Sequence, residues 1–179
     1  MESGAILYWL TGLSGSGKSV LGYRLYERLR ERQSNLVYLD GDNLREVFGG
    51  TAGHTTGERR QLALTYCRFC RMLVEQGISV VIATMSLFHE VHEYNRQNIP
   101  NYIEVFIECH IDELIRRDQK GIYSSALRGN LRDVIGIDLP YDRPVQSDLT
   151  IDNTEPNHLE EKVDRIMQLA RERKLYLYD

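Results

Sequence analysis

The sequence predicts an α/β fold in which a five-stranded parallel β-sheet has helices on both faces and carries a lid loop. Two observations predict this fold. Short runs rich in β-branched residues alternate along the chain with segments that have helical spacing of leucines. A glycine-rich loop follows the first of these runs and opens the first helical segment. We expect one domain over the 179 residues, because about 100–200 residues is usual for a domain.

Each predicted strand is a short apolar run, and each predicted helix has apolar residues on one face. The predicted strands cover residues 5–11, 36–39, 78–84, 103–109 and 148–151. The predicted helices cover residues 19–32, 58–75, 87–98 and 111–118, with a final helix in which Leu159, Val163 and Ile166 share a face. Residues 119–144 show no clear period and contain several glycines and prolines. We expect a lid at about 119–144, because such long loops in compact domains are usually functional or disordered.

The composition excludes several classes of protein. A net charge of −4 gives no basis for binding a nucleic-acid polymer or an anionic membrane. No apolar run approaches the length of about 20 residues that spans a bilayer, and the first residues lack a secretion-signal pattern. Three cysteines, an odd number, suit a reducing compartment, so we expect a soluble cytoplasmic protein. Cys67 and Cys70 have no second pair, so we interpret them as helix residues rather than zinc ligands.

Residues 12–19 match the phosphate-loop pattern G-x-x-x-x-G-K-[ST] between a predicted strand and a predicted helix. Glycines let backbone N–H groups approach phosphates closely, and the helix that starts there adds its positive end. Lys18 would reach the outer phosphates, and the Ser19 hydroxyl would bind Mg²⁺. The motif predicts the P-loop NTPase fold with ATP and Mg²⁺ as cofactors. The phosphate-binding residues that it predicts are Gly12, Ser14, Gly15, Ser16, Gly17, Lys18 and Ser19.

The rest of the sequence narrows the class of P-loop protein. The N-K-x-D pattern that reads guanine in GTPases is absent, and the chain is short for a motor or transporter ATPase. A small kinase with a lid agrees with both facts.

Two carboxylates stand where the predicted second strand ends, at Asp40 and Asp42. The carboxyl ends of strands are where this fold binds ligands. One carboxylate can hold Mg²⁺ through water, while the other accepts the proton of an attacking hydroxyl. Arg45 could bind an anionic acceptor through two hydrogen bonds. The alternative is that Asp-Gly-Asp-Asn only makes a turn, but the neighbouring phosphate loop favours a catalytic interpretation.

Four motifs together resemble the adenylylsulfate kinase family over about residues 6–154. They are WLTGLSGSGKS from Trp9, LDGDNLR from Leu39, RDQKGIY from Arg117 and GIDLPYDRP from Gly136. The resemblance implies transfer of the γ-phosphate of MgATP to the ribose 3′-hydroxyl of adenosine 5′-phosphosulfate. It also allows a homodimer, which no residue in the sequence establishes.

Carried over by position, the resemblance implies that Asp42 is the general base and that Asp40 assists it and holds Mg²⁺ through water. Arg117 would contribute to ATP binding and, with Lys120, to a lid that closes over the phosphates. The catalytic residues so implied are Lys18, Asp40, Asp42 and Ser86, the last matching the serine of an I-S-P motif. The acceptor-binding residues so implied are Asp42, Arg45, His54, Arg59, Ser86, Lys120 and Val134.

The acceptor half departs from the family pattern. The family clamps the acceptor adenine between two phenylalanines, and His54 and Val134 stand at those positions. Leu62 and Leu64 replace an Asn and an Arg, and His92 replaces a further Arg. A base stacked on an aromatic face gains about 1–3 kcal/mol, which Val134 cannot supply. These substitutions resemble a related branch, the kinases of capsule biosynthesis that phosphorylate cytidine diphosphoramidate.

Three functions therefore stay open. The first is a kinase for a nucleotide 3′-hydroxyl, with an adenylyl or a cytidylyl acceptor. The second is a kinase for an unrelated small alcohol or a nucleoside monophosphate, in which Arg45 and Arg59 bind a plain phosphate. The third is a nucleotide-binding regulator without catalysis, which the presence of Asp40, Asp42 and a full-length lid segment disfavours.

Overall fold

The structure, a computed structural model, describes residues 4–48, 55–118, 120–173 and 175. The strands are β1 (Leu7–Thr11), β2 (Leu36–Asp40), β3 (Ser79–Thr84), β4 (Tyr102–Glu108) and β5 (Leu149–Asp152). The helices are α1 (Lys18–Arg30), α2 (Gly41–Phe48), α3 (Thr56–Glu75), α4 (His89–Asn98), α5 (Ile111–Arg117), α6 (Ile122–Leu127) and α7 (Leu159–Glu172). The strands form one parallel sheet in the order β2-β3-β1-β4-β5. The predicted five-stranded parallel sheet is confirmed.

The strand β1 is central and buries both of its faces. Successive side chains of a strand point to opposite sides. Leu7 and Trp9 accordingly pack with α3 and α4, whereas Tyr8 and Leu10 pack with α1 and α7. The helices therefore cover both faces, as predicted, and the carboxyl ends of the strands meet at one edge.

Helix α2 is absent from the elements predicted from sequence, which end the second strand at Asp40-Gly41-Asp42-Asn43 and place the next helix at about residue 58. Asp40 instead caps the helix, because its Oδ1 accepts a hydrogen bond from the backbone N–H of Asp42 at 2.9 Å. A Cβ at Gly41 would lie 3.2 Å from the carbonyl oxygen of Ala83, so the helix starts close against β3. Residues typical of turns are also typical of helix starts, and α2 buries only Leu44, which leaves little periodicity to detect.

The segment 120–144, which lies within the predicted lid, contains helix α6 and a turn around Asp138. The Asp138 carboxylate accepts hydrogen bonds from the backbone N–H groups of Asp133 and Val134, at 2.8 and 2.5 Å. Tyr123 and Val134 are buried in an apolar cluster that includes Leu13. The segment is therefore packed against the glycine-rich loop.

Several smaller expectations concern helices and metals. Cys67 and Cys70 are buried on α3, with unpaired thiols. His92 is buried on α4 and its Nε2 donates a hydrogen bond to the Ser86 carbonyl at 2.9 Å, whereas His89 is exposed. In the described part of the chain, no three His, Cys, Asp or Glu residues are grouped to hold a metal. No helix in the described ranges has the length and apolar character needed to cross a membrane.

Candidate active site

The glycine-rich loop, residues 12–19, connects β1 to α1 at the carboxyl edge of the sheet. Gly15 and Gly17 have φ angles of 78° and 93°, a left-handed region that favours glycine. Ser16 N–H closes a tight turn by donating to the carbonyl of Leu13 at 3.2 Å. The Lys18 ammonium donates to the same carbonyl at 3.0 Å, so it curls over the loop.

Three consecutive carbonyls of this loop accept hydrogen bonds from side chains outside it. The donors are Tyr123 to Ser14 at 2.7 Å, Arg117 to Gly15 at 3.2 Å, and Asn153 to Ser16 at 2.7 Å. In a trans peptide the N–H points opposite to the preceding C=O. Because the carbonyls of Ser14 and Ser16 are held by the surrounding protein, the N–H groups of Gly15 and Gly17 point the opposite way, as phosphate binding requires.

Asp40, at the end of β2, lies beside the first turn of α1. The Ser19 hydroxyl donates to Asp40 Oδ2 at 2.7 Å, and the Tyr38 hydroxyl lies 3.2 Å from the same oxygen. Burial, followed by the negative charge of Asp40, raises the pKa of Tyr38 above its ordinary value, which keeps this phenol protonated as a donor. The Asp40 carboxylate is therefore fixed in orientation.

Asp42 lies in the first turn of α2, and its carboxylate forms an ion pair with Lys120. Both side chains are largely exposed. Burial lowers the pKa of Lys18 to about 8, and the nearby charge of Lys120 acts in the same direction. Two ammonium groups and two carboxylates, Asp40 and Asp42, thus meet at the mouth of the phosphate loop.

Arg45, on α2, and Arg59, on α3, line the same cavity. An Arg59 Nη2–H donates to the backbone carbonyl of Asp133 at 3.2 Å, which connects α3 to the turn before Val134. Burial, and then the positive charge of Arg45, lower the pKa of Arg59. The two guanidinium groups are therefore close enough to repel each other, as in a site that binds an anion between them.

Ser86 follows β3 and is part of the lining of the same cavity. Its hydroxyl is hydrogen-bonded to that of Thr84 at 2.9 Å, and both side chains are buried. Its carbonyl accepts the hydrogen bond from His92. The Ser86 loop is thus held from both the strand and α4.

A cavity of about 760 Å³ joins these groups. Its charged lining contains five cationic side chains and three carboxylates, so the local charge is positive although the whole chain is acidic. Apolar side chains form the wall on the α3 side. The charged residues of the lining are Lys18, Asp40, Asp42, Arg45, Arg59, Lys120, Arg132 and Asp133, and apolar and aromatic residues that face them include Leu62, Ala63, Tyr66, Phe88 and Leu131.

Most of the residues predicted from sequence meet in this cavity. Those in its lining are Ser14, Gly15, Gly17, Lys18, Ser19, Asp40, Asp42, Arg45, Arg59, Ser86, Lys120 and Val134. Gly12, Ser16 and Arg117 are outside the lining. Gly12 and Ser16 are part of the loop itself, where a Cβ at Gly12 would clash with the carbonyl of Ile107, and Arg117 donates to the Gly15 carbonyl from outside the loop. His54 lies outside the described residues.

Three residues that the sequence reasoning missed support the phosphate loop: Tyr123, Asn153 and Lys162. Asn153 directly follows β5, so the rule that ligands bind at the carboxyl ends of parallel strands could have singled it out. Tyr123 ends the RDQKGIY motif, which marks it as part of the family pattern without indicating its contact, and Lys162 lies within a helix and carries no comparable signal.

The donor set at Ser19 and Asp40 is compatible with Mg²⁺. Both side chains present hard oxygen atoms, which this ion prefers, and they lie within hydrogen-bond distance of each other. Mg²⁺ in such sites usually keeps several waters and binds few protein ligands, so two oxygens beside a phosphate loop are sufficient.

A phosphate loop at the carboxyl edge of a parallel sheet, with two carboxylates in the same cavity, defines a P-loop nucleotide kinase, which is a phosphotransferase. The comparison with known proteins names the particular group. The chain belongs to the adenylylsulphate kinase family, whose profile matches residues 4–152. ATP is the phosphoryl donor of this family.

Individual relatives span nearly the whole chain. A cytidine diphosphoramidate kinase from Campylobacter jejuni is 45% identical over 168 residues, which is 94% of this chain and 98% of that protein. An adenylyl-sulfate kinase from Picosynechococcus is 31% identical over 172 residues, covering 96% and 97%. The Mycobacterium tuberculosis APS kinase, solved in complex with AMPPNP and APS, has a TM-score of 0.83 at 29% identity, covering 93% and 98%.

Proposed function

We propose that this protein transfers the γ-phosphate of ATP to the ribose 3′-hydroxyl of a nucleotide, and that cytidine diphosphoramidate is its acceptor. The observation that carries the kinase reaction is that Asp40 and Asp42 line the same cavity as the phosphate loop. The 45% identity to a cytidine diphosphoramidate kinase, against 31% to an adenylyl-sulfate kinase, supports the acceptor.

In this proposal the loop N–H groups and Lys18 bind the β- and γ-phosphates. Ser19, and Asp40 through water, would hold Mg²⁺, which supplies charge neutralisation of the phosphates when bound. Asp42 accepts the proton of the acceptor 3′-hydroxyl as that oxygen attacks the γ-phosphorus and the bond to the β-phosphate oxygen breaks. ADP and the phosphorylated acceptor leave. Positioning and charge, rather than covalent catalysis, supply the rate enhancement.

Lys120 has two partners in the proposed cycle. In the structure it pairs with Asp42. When ATP is bound, its ammonium can move to the phosphates, which frees the Asp42 carboxylate to act as a base. We accordingly propose that residues 119–144 act as a lid. Arg117 holds the loop from behind, and its proposed contribution to ATP binding is therefore indirect.

The apolar wall of the cavity supports a pyrimidine acceptor. Leu62 and Val134 stand at positions that are polar and aromatic, respectively, in the family pattern, and both side chains are buried. Val134 packs within the apolar cluster around Leu13 and presents no aromatic face. A smaller base needs less stacking area than adenine. Arg45 and Arg59 then bind the diphosphate-like part of the acceptor, with Ser86 as a neutral donor beside them.

Adenosine 5′-phosphosulfate is the second candidate acceptor. The family residues that would face the anionic group of this acceptor are retained as Ser86, Arg45 and Arg59. The chain also matches the family profile over most of its own length. For either acceptor we propose one domain, a cytoplasmic location consistent with the free thiols of Cys67, Cys70 and Cys109, and a homodimer.

The proposal is tested by adding MgATP with each acceptor separately and measuring ADP release together with the position of the new phosphate by ³¹P and ¹H NMR. We expect turnover with cytidine diphosphoramidate and a phosphate on the 3′ oxygen. Turnover only with adenosine 5′-phosphosulfate would select the second candidate. A product phosphorylated elsewhere, or ADP release that does not depend on either acceptor, would contradict both.

A further inference from the structure

Asn153 and Lys162 form a buried chain of hydrogen bonds behind the phosphate loop. The side-chain amide of Asn153 donates to the Ser16 carbonyl at 2.7 Å, and its Oδ1 accepts from the Lys162 ammonium at 2.8 Å. Lys162 also donates to the Glu155 carbonyl at 2.7 Å. Lys162 comes from the first turns of α7, so the chain connects that helix to the loop.

The direction of these bonds is fixed by chemistry. An asparagine amide has one accepting and one donating end, whereas a lysine ammonium can only donate. Lys162 therefore requires that the oxygen of Asn153 faces it, which turns the NH₂ group toward the Ser16 carbonyl. Without the ammonium, either orientation of the amide would be acceptable on the Lys162 side.

The position of the Lys162 ammonium costs free energy, which its hydrogen bonds must offset. Its side chain is only 9% exposed, and burying an ammonium group costs free energy that hydrogen bonds must offset. It also lies near the positive end of α7, where a cation is disfavoured. Burial lowers the pKa of Lys162, and the negative charge of Asp152 opposes that shift. If this position only had to be filled by packing, an apolar side chain would be sufficient.

The hydrogen bonds from Lys162 and Asn153 end on one peptide unit of the phosphate loop. The Ser16 carbonyl and the Gly17 N–H belong to the same peptide and point in opposite directions. Asn153 also lies directly against Gly17, since a Cβ there would clash with its amide nitrogen. Holding the carbonyl on the Asn153 side therefore keeps the N–H of Gly17 turned away from Asn153.

We propose that Asn153 and Lys162 are a positioning pair that orients the Ser16–Gly17 peptide so that the Gly17 N–H faces the nucleotide phosphates. The proposal rests on the ATP-binding function proposed above. Asn153 acts on the peptide directly, and Lys162 acts through Asn153. Neither residue is in the lining of the cavity, so we expect their effect to be on phosphate binding.

The test measures the affinities of the full-length protein for ADP and for AMP by calorimetry. Because AMP lacks the phosphate that the loop binds, the ratio of the two dissociation constants isolates the contribution of the loop. We expect Asn153→Ala to lower the preference for ADP about fivefold, and Lys162→Met about threefold. The Asn153→Ala/Lys162→Met double variant should fall no further than Asn153→Ala, because Lys162 acts through Asn153.

Asn157→Ala is the matched control, because Asn157 is exposed in the same connection and its amide donates a hydrogen bond to the exposed Glu155 side chain at 3.1 Å. Its preference for ADP should equal that of the wild type. Thermal melts establish that each variant is folded. If Asn153→Ala does not fold, Lys162→Met decides the matter. An unchanged preference in a folded Asn153→Ala or Lys162→Met variant overturns the proposal, whereas a wild type that does not prefer ADP to AMP overturns the proposed function as well.

Discussion

Replacing Asp42 with Asn should separate activity from stability. The Asp42 side chain is 72% exposed and that of its partner Lys120 is 53% exposed. An ion pair between such exposed groups contributes at most about 1 kcal/mol, since solvent screens the charges. Asn keeps the shape of the side chain but cannot take up the proton, so Asp42→Asn removes the proposed base. We therefore expect the free energy of unfolding to change by less than about 1 kcal/mol.

The effect on turnover should be much larger. Loss of a general base typically lowers kcat by about 10²–10⁴-fold, which is about 3–5 kcal/mol in the activation barrier. ADP release with a saturating acceptor measures kcat, urea unfolding measures stability, and calorimetry should show that ATP still binds.

Asp164→Asn is the matched control, because Asp164 is also an exposed acid in an ion pair, with Arg28, but lies on α7. Its kcat should equal that of the wild type. A kcat of Asp42→Asn within about tenfold of the wild type would refute the assignment of Asp42 as the base. So would an activity loss that is matched by an equal loss of stability.

Three further changes test other parts of the site. Lys18→Met should weaken ATP binding by about 100-fold, because it removes charge-assisted hydrogen bonds to phosphate. Calorimetry with ATP measures this affinity, and the far-ultraviolet circular dichroism spectrum should stay unchanged. Arg117→Met should lower the free energy of unfolding by about 3–5 kcal/mol. The reason is that the Arg117 side chain is 8% exposed and its guanidinium donates to the carbonyls of Gly15, Asn153 and Thr154. A urea midpoint equal to that of the exposed-site variant Arg116→Met would contradict this expectation. Glu113→Gln should destabilise the protein at neutral pH. Hydrogen bonds from Arg116 and then Arg117 lower the pKa of Glu113 to about 2. The stability that the Glu113 carboxylate contributes is therefore present above its unfolded-state pKa and is lost as pH falls toward 2. The difference in Tm between this variant and the wild type should therefore shrink between about pH 5 and pH 3, and a difference that grows with acid would contradict the sign.

The sheet and the phosphate loop were predictable from sequence because each depends on local signals. A buried parallel strand is a continuous apolar run, and residues 12–19 need only backbone geometry and one lysine. The observed strands begin and end within two residues of the predicted ones. Helix α2 was not predictable in this way, because its first residues also favour turns and only Leu44 is buried.

The supports of the phosphate loop were not predictable for a different reason. Asn153 lies 137 residues from Ser16, and Tyr123 lies 109 residues from Ser14. No local pattern connects positions so far apart, and each donor is an ordinary polar side chain in its own element. Their role exists only after the sheet brings the loop, α6 and the end of β5 together.

The same packing connects the two halves of the site. Val134, on the proposed acceptor side, and Leu13, in the phosphate loop, belong to one apolar cluster, and a Cβ at Gly136 would lie 3.3 Å from a methyl group of Leu13. Tyr123 belongs to that cluster and also holds the Ser14 carbonyl. We therefore expect a larger side chain at Val134 to press on the proposed ATP-binding loop, because close-packed interiors transmit such strain. A change of acceptor base at this position consequently requires compensating changes around Leu13 and Tyr123, and not only a new aromatic face.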